Sequence, residues 1–126
     1  MRQLDGPTGH LRGLAGADLG LGRVALGEGD LDVAATLLDA ALASFRRLGD
    51  RLFLTSCYSG LAAVAAARGD LPGAARLLGA ADEQSAPVSC RTRHADTERT
   101  VAHAPDAASL AAEREQGRLD ARARRV

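Results

Sequence analysis

The sequence predicts an all-α fold of antiparallel helix hairpins, stacked as a short α-solenoid with a C-terminal helical tail. Three observations carry this expectation. Residues 20 to 41 and 60 to 81 share the pattern Gly-Leu-x-x-Val-Ala-x-x-x-Gly-Asp-Leu-x-x-Ala-Ala-x-Leu-Leu-x-Ala-Ala, displaced by forty positions and identical at 13 of 22. A fixed period of this size marks stacked supersecondary units. Within each copy the apolar residues recur three and four apart, which is the helical period. A Gly-Asp pair then breaks the period at the same place in each copy, so each copy reads as two helices and a tight turn.

Taken in order, residues 1–10 show no helical pattern and are expected to be irregular. The first helix, near 11–28, carries a stripe of Leu14, Ala17, Leu21, Val24 and Ala25. Gly29 can take the left-handed conformation that ends a helix, and the Asp30 carboxylate can accept from the free amides that open the next. The second helix, near 31–48, places Leu31, Ala34, Ala35, Leu38, Ala41, Leu42, Phe45 and Leu48 on one face. Gly49-Asp50 repeats the stop-and-start device between the hairpins. The third helix, near 51–68, has Leu54, Cys57, Tyr58, Leu61, Val64 and Ala65 on its stripe, and the fourth, near 71–84, has Leu71, Ala74, Ala75, Leu78 and Ala81. Pro72 falls in a first turn, where a missing amide hydrogen costs nothing. Residues 85–126 form a divergent tail with one or two helices, partly disordered or loosely packed. Within it, 106–116 suits an amphipathic cap using Ala107, Leu110 and Ala111.

These residues resemble the tetratricopeptide repeat, which sets Leu and a small residue, then Gly, Ala, an apolar residue and Ala at fixed offsets. Leu21, Gly22, Gly29, Ala34, Leu38 and Ala41 fit that pattern, as do Leu61, Ala62, Gly69, Ala74, Leu78 and Ala81. Ala25 and Ala65 stand where that repeat commonly has Tyr. The runs Phe45-Arg46-Arg47-Leu48-Gly49-Asp50 and Ala74-Ala75-Arg76-Leu77-Leu78-Gly79-Ala80-Ala81 further resemble the C-terminal repeat region of actinobacterial LuxR-type and antibiotic-regulator-type signalling ATPases. In that family, the resemblance implies, a DNA-binding domain and a nucleotide switch precede a helical sensor for inducers or partners. The tail is similar more loosely, through 96–102 and 110–118.

Composition narrows the function classes. The chain has 126 residues with 46% hydrophobic and 25% charged content, ordinary for one globular unit, but aromatics are only 2%. The core must therefore rely on close helix approach over Ala, Gly and Leu. Lys is absent, so no Walker motif exists and this segment is not expected to bind ATP. The formal charge is zero, with 16 basic and 16 acidic residues. Without a basic stripe or interleaved aromatics, direct nucleic-acid binding is disfavoured. No stretch reaches the roughly 18 apolar residues of a membrane helix and the N-terminus has no signal core, so a cytoplasmic location is expected.

The expected function is non-catalytic: a protein–protein interaction module, either a sensor or a scaffold, related to bacterial transcriptional regulators. No cofactor and no metal are expected. The repeat resemblance implies a small, apolar concave side formed by the first helix of each hairpin, with Leu19, Arg23, Leu26, Ser56, Ser59 and Ala63 as the partner-binding residues. Gly16, Gly27, Ala66 and Ala67 are expected to line the same side. An apolar helix or another repeat is the expected guest, though the same positions could simply pack against a neighbouring repeat. The alternative is a small-molecule or metal-binding protein using Cys90, His94 and His103, since Cys-x-x-x-His spacing sets two ligands one helical turn apart; a closed zinc site wants four. Two repeats fall short of the three or so that a stable array needs. The open ends therefore call for cover, from the tail, from self-association, or from a longer regulator of which this chain is a fragment.

Overall fold

The computed structural model describes residues 7–84 and 95–125. Six helices follow one another: α1 (Pro7–Gly27), α2 (Leu31–Leu48), α3 (Arg51–Ala67), α4 (Leu71–Gln84), α5 (Ala95–Ala102) and α6 (Ala107–Arg125), with no strand among the described residues. The chain is thus all-α. The first helix opens four residues inside the N-terminal segment expected to be irregular. The tail contributes two helices, the second of them longer than the expected cap.

The three corners between α1 and α4 are built alike. Gly29, Gly49 and Gly69 each sit at positive φ, at 81°, 70° and 83°, the region that only Gly enters without strain. Past each glycine, the aspartate amide donates back to a carbonyl five residues earlier: Asp30 to Ala25 at 2.9 Å, Asp50 to Phe45 at 3.1 Å and Asp70 to Ala65 at 2.8 Å. That bond closes the outgoing helix. The same aspartate then caps the incoming one, its carboxylate accepting from Val33 N and Phe53 N at 3.4 Å and from Gly73 N at 2.9 Å. One dipeptide therefore satisfies main-chain groups of two helices, which is why so short a turn can reverse the chain.

Leu38 is the pivot of the first packing layer. It is fully buried in α2, and two glycines make room for it. A Cβ on Gly22 of α1 would lie 2.9 Å from Leu38 Cγ, and one on Gly60 of α3 would lie 3.0 Å from Leu38 Cδ1. Full burial of such a side chain stabilises by about 2 kcal/mol. Ala34, Ala41 and Phe45 continue that face of α2, and Phe45 stacks on Phe53 with ring centroids 4.9 Å apart. A second core, under the tail, joins Ala62, Ala74, Ala75 and Leu78 to Val101 and Leu110.

The buried face of α1 differs from the expected stripe. Ala15, Leu19, Gly22 and Ala25 turn inward, whereas Leu14, Leu21 and Val24 are more than half exposed and Ala17 faces solvent. The cause lies in the repeat. Forty positions on, the identical residues Leu54, Leu61 and Val64 of α3 are buried, because α3 packs against both helices of the first hairpin. No described helix plays that part for α1. Both faces of the helix carry apolar residues at helical spacing, and among the described residues only the one toward α2 is covered.

The tail packs on α4. α6 lies along α4 in direct main-chain contact: a Cβ on Gly79 would fall 1.8 Å from Arg114 O, and one on Gly117 would fall 2.0 Å from Arg76 O. Leu110 is fully buried there and Ala107 half-buried, while Ala111, expected on the capping face, is exposed. Charge then fixes the register. Arg114 forks onto Asp82 at 2.6 and 2.9 Å and also holds Glu98 of α5. One and two turns later, Arg118 and Arg122 reach Glu83 at 3.7 and 3.2 Å. The hydrogen bonds to Glu98 and then Asp82 keep the Arg114 guanidinium protonated even more firmly than usual.

Candidate functional site

The first helix of each hairpin supplies one wall of a cleft. Arg23, Leu26 and Gly27 come from the last two turns of α1; Ser56, Ser59, Gly60 and Ala63 come from the middle of α3. The cleft has a volume of about 240 Å³. Its walls meet because α1 and α3 touch one another and both pack on α2. The spacing of the α3 residues, at three and four, sets them on a single helical face.

Five of the six residues singled out from the sequence therefore converge on one concavity: Arg23, Leu26, Ser56, Ser59 and Ala63. Leu19 does not join them. It is only 6% exposed and belongs to the apolar core, because the rotation of α1 that admits Leu38 beside Gly22 also turns Leu19 inward. Gly16 is exposed, further along the same helix.

The floor is polar but closed, with Ser56 and Ser59 at 5% and 6% exposure. The rim holds the charge. Arg23 is exposed and makes no ion pair among the described residues. The missing side chain of Gly60 is what lets α3 approach Leu38. That role was not read from the sequence, although Gly60 stands forty residues after Gly20, in the aligned pattern. A small residue facing a large buried one across an interface is the available signal.

No known family model, curated protein or solved structure matches this chain. Its geometry has to carry the functional reading.

The cysteine of α3 and His103 of the tail's Cys/His set lie elsewhere. Cys57 is fully buried in α3, and burial pushes its thiol up to about 12 from an ordinary 9.0, so it is a protonated, apolar side chain at neutral pH. His103 follows α5, its Nδ1 3.0 Å from Arg99 O. Cys90 and His94 lie outside the described residues. Among the described residues, no three His, Cys, Asp or Glu side chains gather where they could hold a metal ion. Nor is any described helix long and apolar enough to cross a membrane.

Proposed function

We propose that the chain is a non-catalytic interaction module that binds a helical protein segment in the cleft between α1 and α3. The observation that carries this reading is the convergence of Arg23, Leu26, Ser56, Ser59 and Ala63 on one open concavity formed by the first helices of both hairpins. Small side chains on α3 allow another backbone to approach, Leu26 offers an apolar wall, and Arg23, without an ion-pair partner among the described residues, favours a guest with a carboxylate at that end. An amphipathic helix meets all three conditions. The forty-residue repeat and its Gly-Asp corners support the broader assignment to tetratricopeptide-like arrays and, through the resemblance of residues 45–50 and 74–81, to the sensor region of LuxR-type regulators. On this reading the module is one part of a regulatory assembly rather than an enzyme.

The test is a display library of helical peptides selected against the full chain. Selected peptides should bind with micromolar Kd and lose at least tenfold affinity to Ala63→Glu and Arg23→Glu, both outside the core, while Val33→Glu on the outer face of α2 changes nothing. Leu19→Asp is unsuitable, since a charge at that buried site unfolds the hairpin. Peptides that bind the two cleft variants as well as the wild type would sink the proposal.

A further inference from the structure

A second cleft, on the opposite side of α3, has features the first one lacks. It has a volume of about 380 Å³ and gathers Arg46 from the end of α2, Arg51, Leu54 and Tyr58 from α3, Gln84 from the end of α4, and Ala121 from α6. Four elements thus build it, and the docking of α6 along α4 supplies the Ala121 wall.

Donors outnumber acceptors among its polar groups. Arg46 Nη2 donates to the Tyr58 hydroxyl at 2.6 Å, and Arg51 donates through Nη2 to Glu83 O at 2.8 Å and through Nε to Gln84 Oε1 at 3.4 Å. Both guanidiniums are therefore oriented by neutral oxygens, and neither pairs with a carboxylate among the described residues. A guanidinium has five N–H groups, so most of the donors on each are left over. The nearby acids are already engaged: Asp50 binds Arg12 at 2.6 Å and caps α3, and the Glu83 carboxylate takes Arg118 and Arg122. Gln84 is only 6% exposed, and its oxygen faces Arg51 while its amide nitrogen has no acceptor among the described residues. A buried amide N–H without a partner is unfavourable. The remaining walls, Leu54, Ala121 and the Tyr58 ring, are apolar.

We infer that this cleft binds a small organic anion, a carboxylate on a compact apolar body. The carboxylate lies between Arg46 and Arg51 and accepts from the Gln84 amide, and the body rests on Leu54, Tyr58 and Ala121. Two planar forks and one amide suit a planar carboxylate, and the apolar floor selects against a bare inorganic ion. The site is independent of the α1/α3 cleft.

The experiment is an NMR titration of the ¹⁵N-labelled full chain at low salt with sodium benzoate, with benzamide as its uncharged counterpart and inorganic phosphate as an anion without an apolar body. Benzoate should shift the amides of Gly49, Arg51 and Tyr58 and the side-chain amide of Gln84 in a saturable way, at least tenfold more tightly than either control. Arg46→Gln and Arg51→Gln should each weaken benzoate at least tenfold with unchanged circular dichroism. Equal binding of benzamide would overturn the role of the guanidiniums, and equal binding of phosphate would overturn that of the apolar floor. An absence of saturable shifts at these groups would overturn the site itself. The comparison of the three probes on the wild type decides the matter even if a variant fails to fold.

Discussion

Gly79 of α4 lies directly against the main-chain carbonyl of Arg114 in α6, with room for a hydrogen and none for a methyl group. Gly117 makes the reciprocal approach to Arg76. The second core, and the Ala121 wall of the cleft lined by Arg46 and Arg51, depend on this close crossing. Gly79→Ala should therefore destabilise by about 2 kcal/mol or more through overpacking, even though Ala is the better helix former by about 1 kcal/mol. Gly20→Ala, where nothing lies within 4 Å of the added carbon, should instead stabilise by about 0.5–1 kcal/mol. Chemical denaturation of the two variants checks the sign, and faster hydrogen exchange in α6 of Gly79→Ala would locate the effect. Stabilisation by both substitutions would refute the close approach.

Arg114 is the electrostatic counterpart of that packing. It ties α6 to α4 through Asp82 and to α5 through Glu98, and it is only 26% exposed. Arg114→Met keeps much of the apolar stem but leaves two carboxylates facing one another. A loss of about 1–3 kcal/mol is expected, in the range of charge-assisted hydrogen bonds, with part of it recovered at high salt. Arg76→Met, at a more exposed pair with Glu113, should cost clearly less, because solvent screens an exposed ion pair. Equal effects would show that the Arg114 network contributes no more than a surface ion pair.

Cys57 links stability to alkaline pH. Burial raises its folded pKa from 9.0 to about 12, so the folded state holds the proton more tightly than the unfolded chain does. Its contribution is present in full below pH 9 and should fall as pH rises from about 9 toward 12. Urea unfolding at pH 7.5, 9 and 10.5 should show that decline in the wild type and a shallower one in Cys57→Ala, at a cost of about 1 kcal/mol at pH 7.5 for the lost packing. Parallel slopes in the two proteins would remove Cys57 from the alkaline response.

Much of the scaffold was legible because its signals are local. Gly49-Asp50 and its two counterparts announce a corner through conformational freedom and a capping carboxylate, neither of which needs a distant partner. The α3 side of the concave cleft was legible for a similar reason: Ser56, Ser59 and Ala63 share a face by spacing alone. Leu19 was misplaced because its side of α1 is chosen by Leu38 on another helix. The second cleft was hidden altogether, since Arg46, Arg51, Gln84 and Ala121 stand on four helices that meet only in the tertiary structure. One hint was available in the arginines at 114, 118 and 122, four residues apart and opposite to the acids Asp82 and Glu83.

The sequence by itself determined the helices, their order and the corners between them, because helical period and capping chemistry act within a few residues of chain. The tertiary structure alone decided which faces are buried. Leu14, Leu21 and Val24 are the same residues as Leu54, Leu61 and Val64, on the same repeat pattern, yet the first set is exposed and the second lies in the core. Burial is a property of neighbours: α3 has a hairpin packed against that face, and α1 has none among the described residues.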